Sequence, residues 1–234
     1  MSRFQRNVSQ ILNKLSNQAL QVEAMVQLGL VSLEMRSGVS DEVKELERVV
    51  NHQEIEIEEL CLTTLALFQP TAIDLRVLAT VLKANGDLER IADLALNLTE
   101  RAEALSELGD VDVPLELESM VRYSLEMVKD ANRSLVERNA NLARNVALRD
   151  DQLDAMNREL IQTIADEMER NPEHVKAQLH VFSASRIIER IGDHATNIAE
   201  DVLYMVEGEI HRHRYKLPDI ENPFPANDSA NRIV

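Results

Sequence analysis

Apolar residues recur along this chain at helical spacing. Residues 4–36 carry Val8, Ile11, Leu12, Leu15, Ala19, Val22, Val26, Leu30 and Leu33, the stripe of one long amphipathic helix. Gly38 marks its end, and Ser40 is the expected N-cap of the next helix. Asp41 and Glu42 suit the positive end of that helix's dipole. The second helix runs to about Phe68 on Val43, Leu46, Val50, Ile57, Cys61 and Phe68. Gln69-Pro70-Thr71 breaks it, because proline removes a donor and biases its predecessor away from helix. A third helix is predicted from about Ala72 to Leu105. The segment Leu108-Gly109-Asp110-Val111-Asp112-Val113-Pro114 reads as a domain boundary, with Pro114 in the first turn of a fourth helix that reaches about Asn141. A turn is expected over Asn139 to Val146, then a fifth helix to about Arg170. Asn171-Pro172 breaks that helix, and a sixth runs from Glu173 to about His211. The tail 215–234 is rich in Pro, Asn and Asp with little periodicity, and is expected to be mobile.

The chain repeats itself. Residues 88–100 read LERIADLALNLTE and residues 188–200 read IERIGDHATNIAE, identical at seven of thirteen positions at an offset of one hundred. The flanks correspond as well: Gln69-Pro70 to Asn171-Pro172, and Arg76 to Lys176. A whole domain is duplicated rather than a short solenoid unit. The expected fold is all-α, two tandem duplicated three-helix bundles built from six long helices. The boundaries read as 1–110 for the first bundle, 111–214 for the second and 215–234 for the tail.

Composition narrows the function. With 44% hydrophobic and 28% charged residues the chain reads as a folded protein. At 3% aromatics and no Trp, its core is aliphatic. The formal charge of −16 disfavours direct binding to nucleic acid or to anionic lipid, whose affinity comes from Lys and Arg. One cysteine, Cys61, excludes an intramolecular disulfide framework and a cysteine-rich zinc site; on the apolar stripe it reads as a core residue. No run approaches the ~20 apolar residues of a membrane span, and no signal-peptide pattern opens the chain. A soluble, cytoplasmic protein without membrane insertion is the expectation. His211-Arg212-His213 reads as a frayed helix end rather than a metal site.

The repeated segment carries an acidic stripe. Glu89 and Asp93 lie four apart, and Glu189 and Asp193 repeat them. Asn97 and Glu100 extend the first set, Asn197 and Glu200 the second, at steps that keep side chains on one helix face. At ~100° per residue, Val77, Val81, Ala84, Leu88, Ile91 and Ala95 share one direction and the acids point roughly opposite. The acids are therefore expected outside the core or along a groove edge. The preceding helix carries Glu47, Asn51, Glu54 and Glu58, and Asp150, Asp154 and Asn157 repeat its first three positions. Paired carboxylates on adjacent helices are an arrangement that holds oxygen-seeking cations. A solvated face is the simpler reading, since two carboxylates ~5 Å apart repel by only about 0.8 kcal/mol in bulk water. Repetition of Glu, Arg, Asp, Asn and Glu at fixed offsets, while neighbours such as Leu94 and His194 have drifted, favours the metal reading.

At these residues the sequence resembles the PhoU family, phosphate-signalling accessory proteins of bacteria. The resemblance rests on Glu89-Arg90-Ile91-Ala92-Asp93, on Glu189-Arg190-Ile191-Gly192-Asp193 and on Gln69-Pro70-Thr71-Ala72-Ile73-Asp74-Leu75-Arg76, and covers residues 4–212. It implies divalent or trivalent metal cations (iron, zinc, magnesium or similar) on the acidic motifs. It implies a non-enzymatic negative regulator that couples the ATPase subunit of a phosphate ABC transporter to a phosphate-sensing histidine kinase, and a homodimer. One departure stands out: the first copy reads Glu47…Asn51 where the second keeps Asp150…Asp154. A di-iron carboxylate enzyme is the first competing reading, but such sites place Glu-x-x-His on core-facing positions and none is present. A metal-free helical interaction protein is the second.

Overall fold

Long runs of helix-forming residues with few internal breakers become long helices. The computed structural model describes residues 1–35, 39–109 and 113–209. It comprises α1 (Arg3–Met35), α2 (Ser40–Phe68), α3 (Ala72–Glu107), α4 (Leu115–Glu137), α5 (Ala140–Arg170) and α6 (Val175–Glu207), with a short 3-10 turn at Pro172–His174. Among the described residues there is no strand. The expectations for Gly38, for His211-Arg212-His213 and for the tail 215–234 fall outside the described residues.

Several helix ends differ from expectation, and α6 stops at Glu207 short of the expected end near His211. Ser40 is the first helical residue rather than the N-cap; Val39 takes that place without a side-chain bond. The Ser40 amide instead donates to Glu103 Oε1 on α3, 3.3 Å away, so a neighbouring helix supplies the cap. Pro114 is the N-cap of α4, one residue outside the helix. The turn expected over Asn139–Val146 shrinks to Arg138 and Asn139. Arg138 is left-handed at φ 51, and Asn139 caps α5 by accepting from the Leu142 amide at 3.1 Å.

Cross-helix bonds set the directions. Asn7 Nδ2 donates to Thr64 Oγ1 (3.3 Å) and Lys14 meets Glu56 (2.7 Å), so α1 and α2 run antiparallel. Each half is an up-down-up trio. The halves then join through two antiparallel pairs, α3 with α6 and α1 with α4. Asn132 Nδ2 donates to Glu23 Oε1 at 2.8 Å across the second pair, and Arg122 meets Glu34 further along. Thus α1, α3, α6 and α4 form a ring of four, while α2 covers one flank and α5 the other. The buried apolar residues of both halves form one continuous cluster.

The α3–α6 seam carries polar pairs. Lys83 Nζ lies 2.7 Å from Asp201 Oδ1, and Asp201 is only 2% exposed. Thr80 Oγ1 donates to the Asp201 carbonyl (3.2 Å), and the Lys83 ammonium sits 5.6 Å from the Tyr204 ring centre. One turn along, His194 Nδ1 and Asp87 Oδ1 are 2.8 Å apart. The duplication places Arg101 at the Asp201 position, Ser183 at Lys83, Leu94 at His194 and Ile187 at Asp87. One end of the seam is therefore ionic, and its counterpart is not.

In the second half α5 approaches α6 closely because position 192 is glycine. A Cβ there would fall inside the radius of Leu153 Cδ2, with Leu153 Cγ at 3.6 Å and Met127 Cε at 3.7 Å. The first half solves the same contact with Ala92 and Val50 at the corresponding positions.

Candidate functional site

The first acidic groove lies between α2 and α3. Asn85 Nδ2 donates to the Glu54 carbonyl at 2.8 Å, fixing the two helices' register. Glu47, Glu54 and Asp93 all act electrostatically on Glu89. The Glu89 side chain is 21% exposed, and burial is the main reason its pKa is raised. Repulsion from Asp93, Glu54 and Glu47 adds to this, against the opposing pull of Arg90. Arg90 reaches Glu89 at 3.4 Å and Asp93 at 3.5 Å. Asn51 Nδ2 donates to Glu47 Oε1, while Asn51 Oδ1 and Asn85 Oδ1 are buried without a hydrogen-bond partner. Asn97 is exposed and its amide is bonded back to the Asp93 carbonyl at 2.9 Å. Glu100 lies further along, 4.0 Å from Arg101.

The second groove lies between α5 and α6. Asp150 is only 3% exposed and accepts from Thr196 Oγ1 at 3.3 Å. Asn157 is as deeply buried, and its Oδ1 has no hydrogen-bond partner. Glu189 is 16% exposed and paired with Arg186 at 2.6 Å. Asp154, Asp193 and Glu200 are half-buried. Asn197 is exposed and donates to Asp87 at 3.4 Å, so it belongs to the α3–α6 seam.

Of the expected positions, outside the core or along a groove edge, the acids of α3 and α6 take the groove edge, and they lie deeper in it than an outward face would put them. Asp150 is in the core, and Glu89 and Glu189 are largely covered. The reason is that α3 and α6 are central: α3 packs on α1, α2 and α6 at once, so it has no single outward face. Among the described residues, no group of three or more His, Cys, Asp or Glu side chains is gathered closely enough to hold a metal ion as the side chains stand.

The PhoU domain model matches residues 15–102 and again 117–202. The chain belongs to the PhoU family. A phosphate-specific transport system accessory protein PhoU homolog of Deinococcus radiodurans is 32% identical over 199 residues, spanning 85% of this chain and 93% of that protein. A homolog of the same description from Pseudomonas putida is 36% identical over 182 residues, 77% of this chain and 71% of that protein. The crystal structure of PhoU from Pseudomonas aeruginosa superposes with a TM-score of 0.85 at 32% identity, over 88% of this chain and all of that one. The phosphate transport system regulatory protein PhoU from Streptococcus pneumoniae shares the fold, with a TM-score of 0.82 at 21% identity over 89% of this chain and 99% of that one.

Both grooves lie inside the matched PhoU spans. Their donor chemistry fits a hard cation: the acids and the orphaned amide oxygens of Asn51, Asn85 and Asn157 are all oxygen ligands. A cation bound beside Glu89 would relieve the repulsion that raises its pKa. The two PhoU halves are not equal in this respect. In the first groove Glu47 and Glu54 act electrostatically on Glu89, and Glu47 accepts from the Asn51 amide, whereas the second sets the buried Asp150 beside a hydroxyl donor.

Glu54 and Asn85 are the residues of the first groove that the spacing argument did not rank. Glu54 was visible on the stripe of α2, but Asn85 sits one turn before Glu89 among core positions and carried no signal of its own. Cys61 is buried, and burial, with Glu58 nearby, pushes its thiol up to about 12. No described helix is long and apolar enough to cross a membrane.

Proposed function

We propose that this chain is a cytoplasmic, non-enzymatic regulator of phosphate uptake and of phosphate-starvation signalling, an adaptor between a phosphate ABC transporter's ATPase subunit and a phosphate-sensing histidine kinase. Membership of the PhoU family across both halves carries the reading, together with relatives described as phosphate-specific transport system accessory proteins. The bundle supports an adaptor: long helices joined by short turns offer extended faces. Deleting the gene and assaying alkaline phosphatase in high phosphate tests the role. Derepression is expected, and unchanged repression refutes it.

The same proposal places cations in the two grooves. Glu47, Asn51, Glu89 and Asp93 would hold one group, and Asp150, Asp154, Glu189 and Asp193 the other. Bound there, a cation supplies charge neutralisation and cross-links two helices of one half. Elemental analysis of protein purified without chelator decides this. Near-stoichiometric metal in wild type that is lost in Asp93→Ala/Asp193→Ala supports it. Metal-free wild type supports a bare helical interaction protein instead. Oxygen-dependent turnover in iron-loaded protein would revive an enzyme. A homodimer is part of the proposal, and sedimentation equilibrium reads it directly.

A further inference from the structure

The outward face of α2 breaks the pattern of its duplicate. Ile55, Leu62 and Ala66 follow one another at seven- and four-residue steps on the side of α2 away from Val50, Ile57 and Cys61. Ile55 is 53% exposed and Leu62 51%, and Ala66 is exposed too. A lone exposed leucine means little, because much of any protein surface is apolar. The duplication supplies the comparison. The corresponding α5 positions are Arg158, Ala165 and Glu169, likewise exposed. The helix's place on the flank therefore does not require aliphatic residues there, yet α2 has them.

Charge says what they would meet. Glu58 and Glu59 are exposed on either side of the stripe, and no Lys or Arg occurs between Arg48 and Arg76. The same stretch of α5 carries Arg158 and Arg170. A second copy docked symmetrically on this face would set these glutamates against each other. An anionic membrane would be repelled as well.

We infer that the outer face of α2 docks a helix of another protein that presents aliphatic side chains at three- and four-residue spacing, flanked by Lys or Arg. Leu62 and Ile55 are its apolar anchors, and Glu58 and Glu59 set its register by pairing with the basic flanks. The inference does not depend on metal in the grooves.

Two measurements test it on the full chain. A photo-crosslinking residue at Leu62, with Ala165 as the matched control on α5, is irradiated in cells and the captured peptide is sequenced. The expected product at Leu62 is a basic amphipathic segment of a different protein, absent at Ala165. Capture of a second copy of this chain, of lipid, of an acidic segment or of nothing, or equal capture at both positions, overturns the inference. In parallel, a synthetic leucine–lysine amphipathic helix is titrated against wild type and Ile55→Gln/Leu62→Gln, which leaves the charge unchanged. The variant is expected to bind about tenfold more weakly or worse, a difference of about 1.4 kcal/mol. The leucine–glutamate counterpart is expected not to bind. Equal affinity of wild type and variant refutes the apolar anchors. Equal thermal unfolding of the two proteins is the fold control, and the polar α5 face shows that this geometry tolerates such residues.

Discussion

Gly192→Ala offers a direct test of how the halves are packed. The added methyl collides with Leu153 Cδ2, and Leu153 is 1% exposed, with Met127 closing the other side. Relaxation is confined to a buried rotamer change or a small separation of α5 from α6. Overpacking of this kind costs about 1–3 kcal/mol. Replacing glycine inside a helix recovers about 1 kcal/mol of propensity. The net expectation is a loss of up to about 2 kcal/mol, or about 2–4 °C in Tm for each kcal/mol in a chain of this size. The first half shows the remedy. Its Ala92 and Val50 contain together the same number of side-chain carbons as Gly192 and Leu153. Leu153→Val alone is expected to cost about 1 kcal/mol through the lost methylene. Gly192→Ala/Leu153→Val is expected within about 1 kcal/mol of wild type, as a volume-conserving swap. Urea unfolding followed by circular dichroism at constant m reads all four corners of the cycle. A single Gly192→Ala more stable than wild type refutes the argument. So does a double variant whose loss equals the sum of the two singles.

Further expectations concern charge and the thiol. Lys83→Met removes one ion-pair partner of the buried Asp201 carboxylate, and because the Lys83 end of the pair is partly exposed a loss of about 1 kcal/mol is expected; the loss is expected to be smaller in an Asp201→Asn background, which urea unfolding checks. Glu89 holds its proton more tightly when folded, so the native state binds more protons there and stability declines as pH rises through the raised pKa. Glu89→Gln is expected to remove that decline and to be the more stable protein at pH 7 in metal-free buffer; unfolding curves from pH 4 to 8 that stay parallel to wild type contradict it. With its thiol near 12, Cys61 is expected to resist a maleimide at pH 8 in the native state and to react at once in urea. Mass spectrometry after brief labelling distinguishes the two.

Much of the fold was legible because its cause is periodic. Helices of about thirty residues with aliphatic stripes leave little choice of secondary structure, and Gln69-Pro70 and Asn171-Pro172 mark breaks where the chain breaks. The α4–α5 corner was harder to read. Asn141, Arg144 and Asn145 are polar enough to suggest a loop, yet one asparagine cap at Asn139 starts α5 almost immediately. The grooves were legible as sequence and not as depth. Spacing put Glu89 with Asp93 and Asp150 with Asp154, but a helical wheel presumes one buried side. It gave no sign that α3 and α6 would be enclosed by three neighbours each. Lys83, Asp87, His194 and Asp201 belong to no motif in the sequence, and only tertiary packing brings them together.

The uneven seam makes the two halves a matched couple rather than interchangeable parts. Suppose the first half paired with a copy of itself in the same geometry. Lys83 would then face Arg101 twice, and Asp87 would face Leu94 with no imidazole to receive it. A self-pair of the second half would bury Asp201 against Ser183, and His194 against Ile187. Only the union of unlike copies sets Lys83 against Asp201 and His194 against Asp87, so the drift that followed duplication favours pairing of unlike halves. Like halves are thereby disfavoured as partners, and each half carries on its seam the complement of the other.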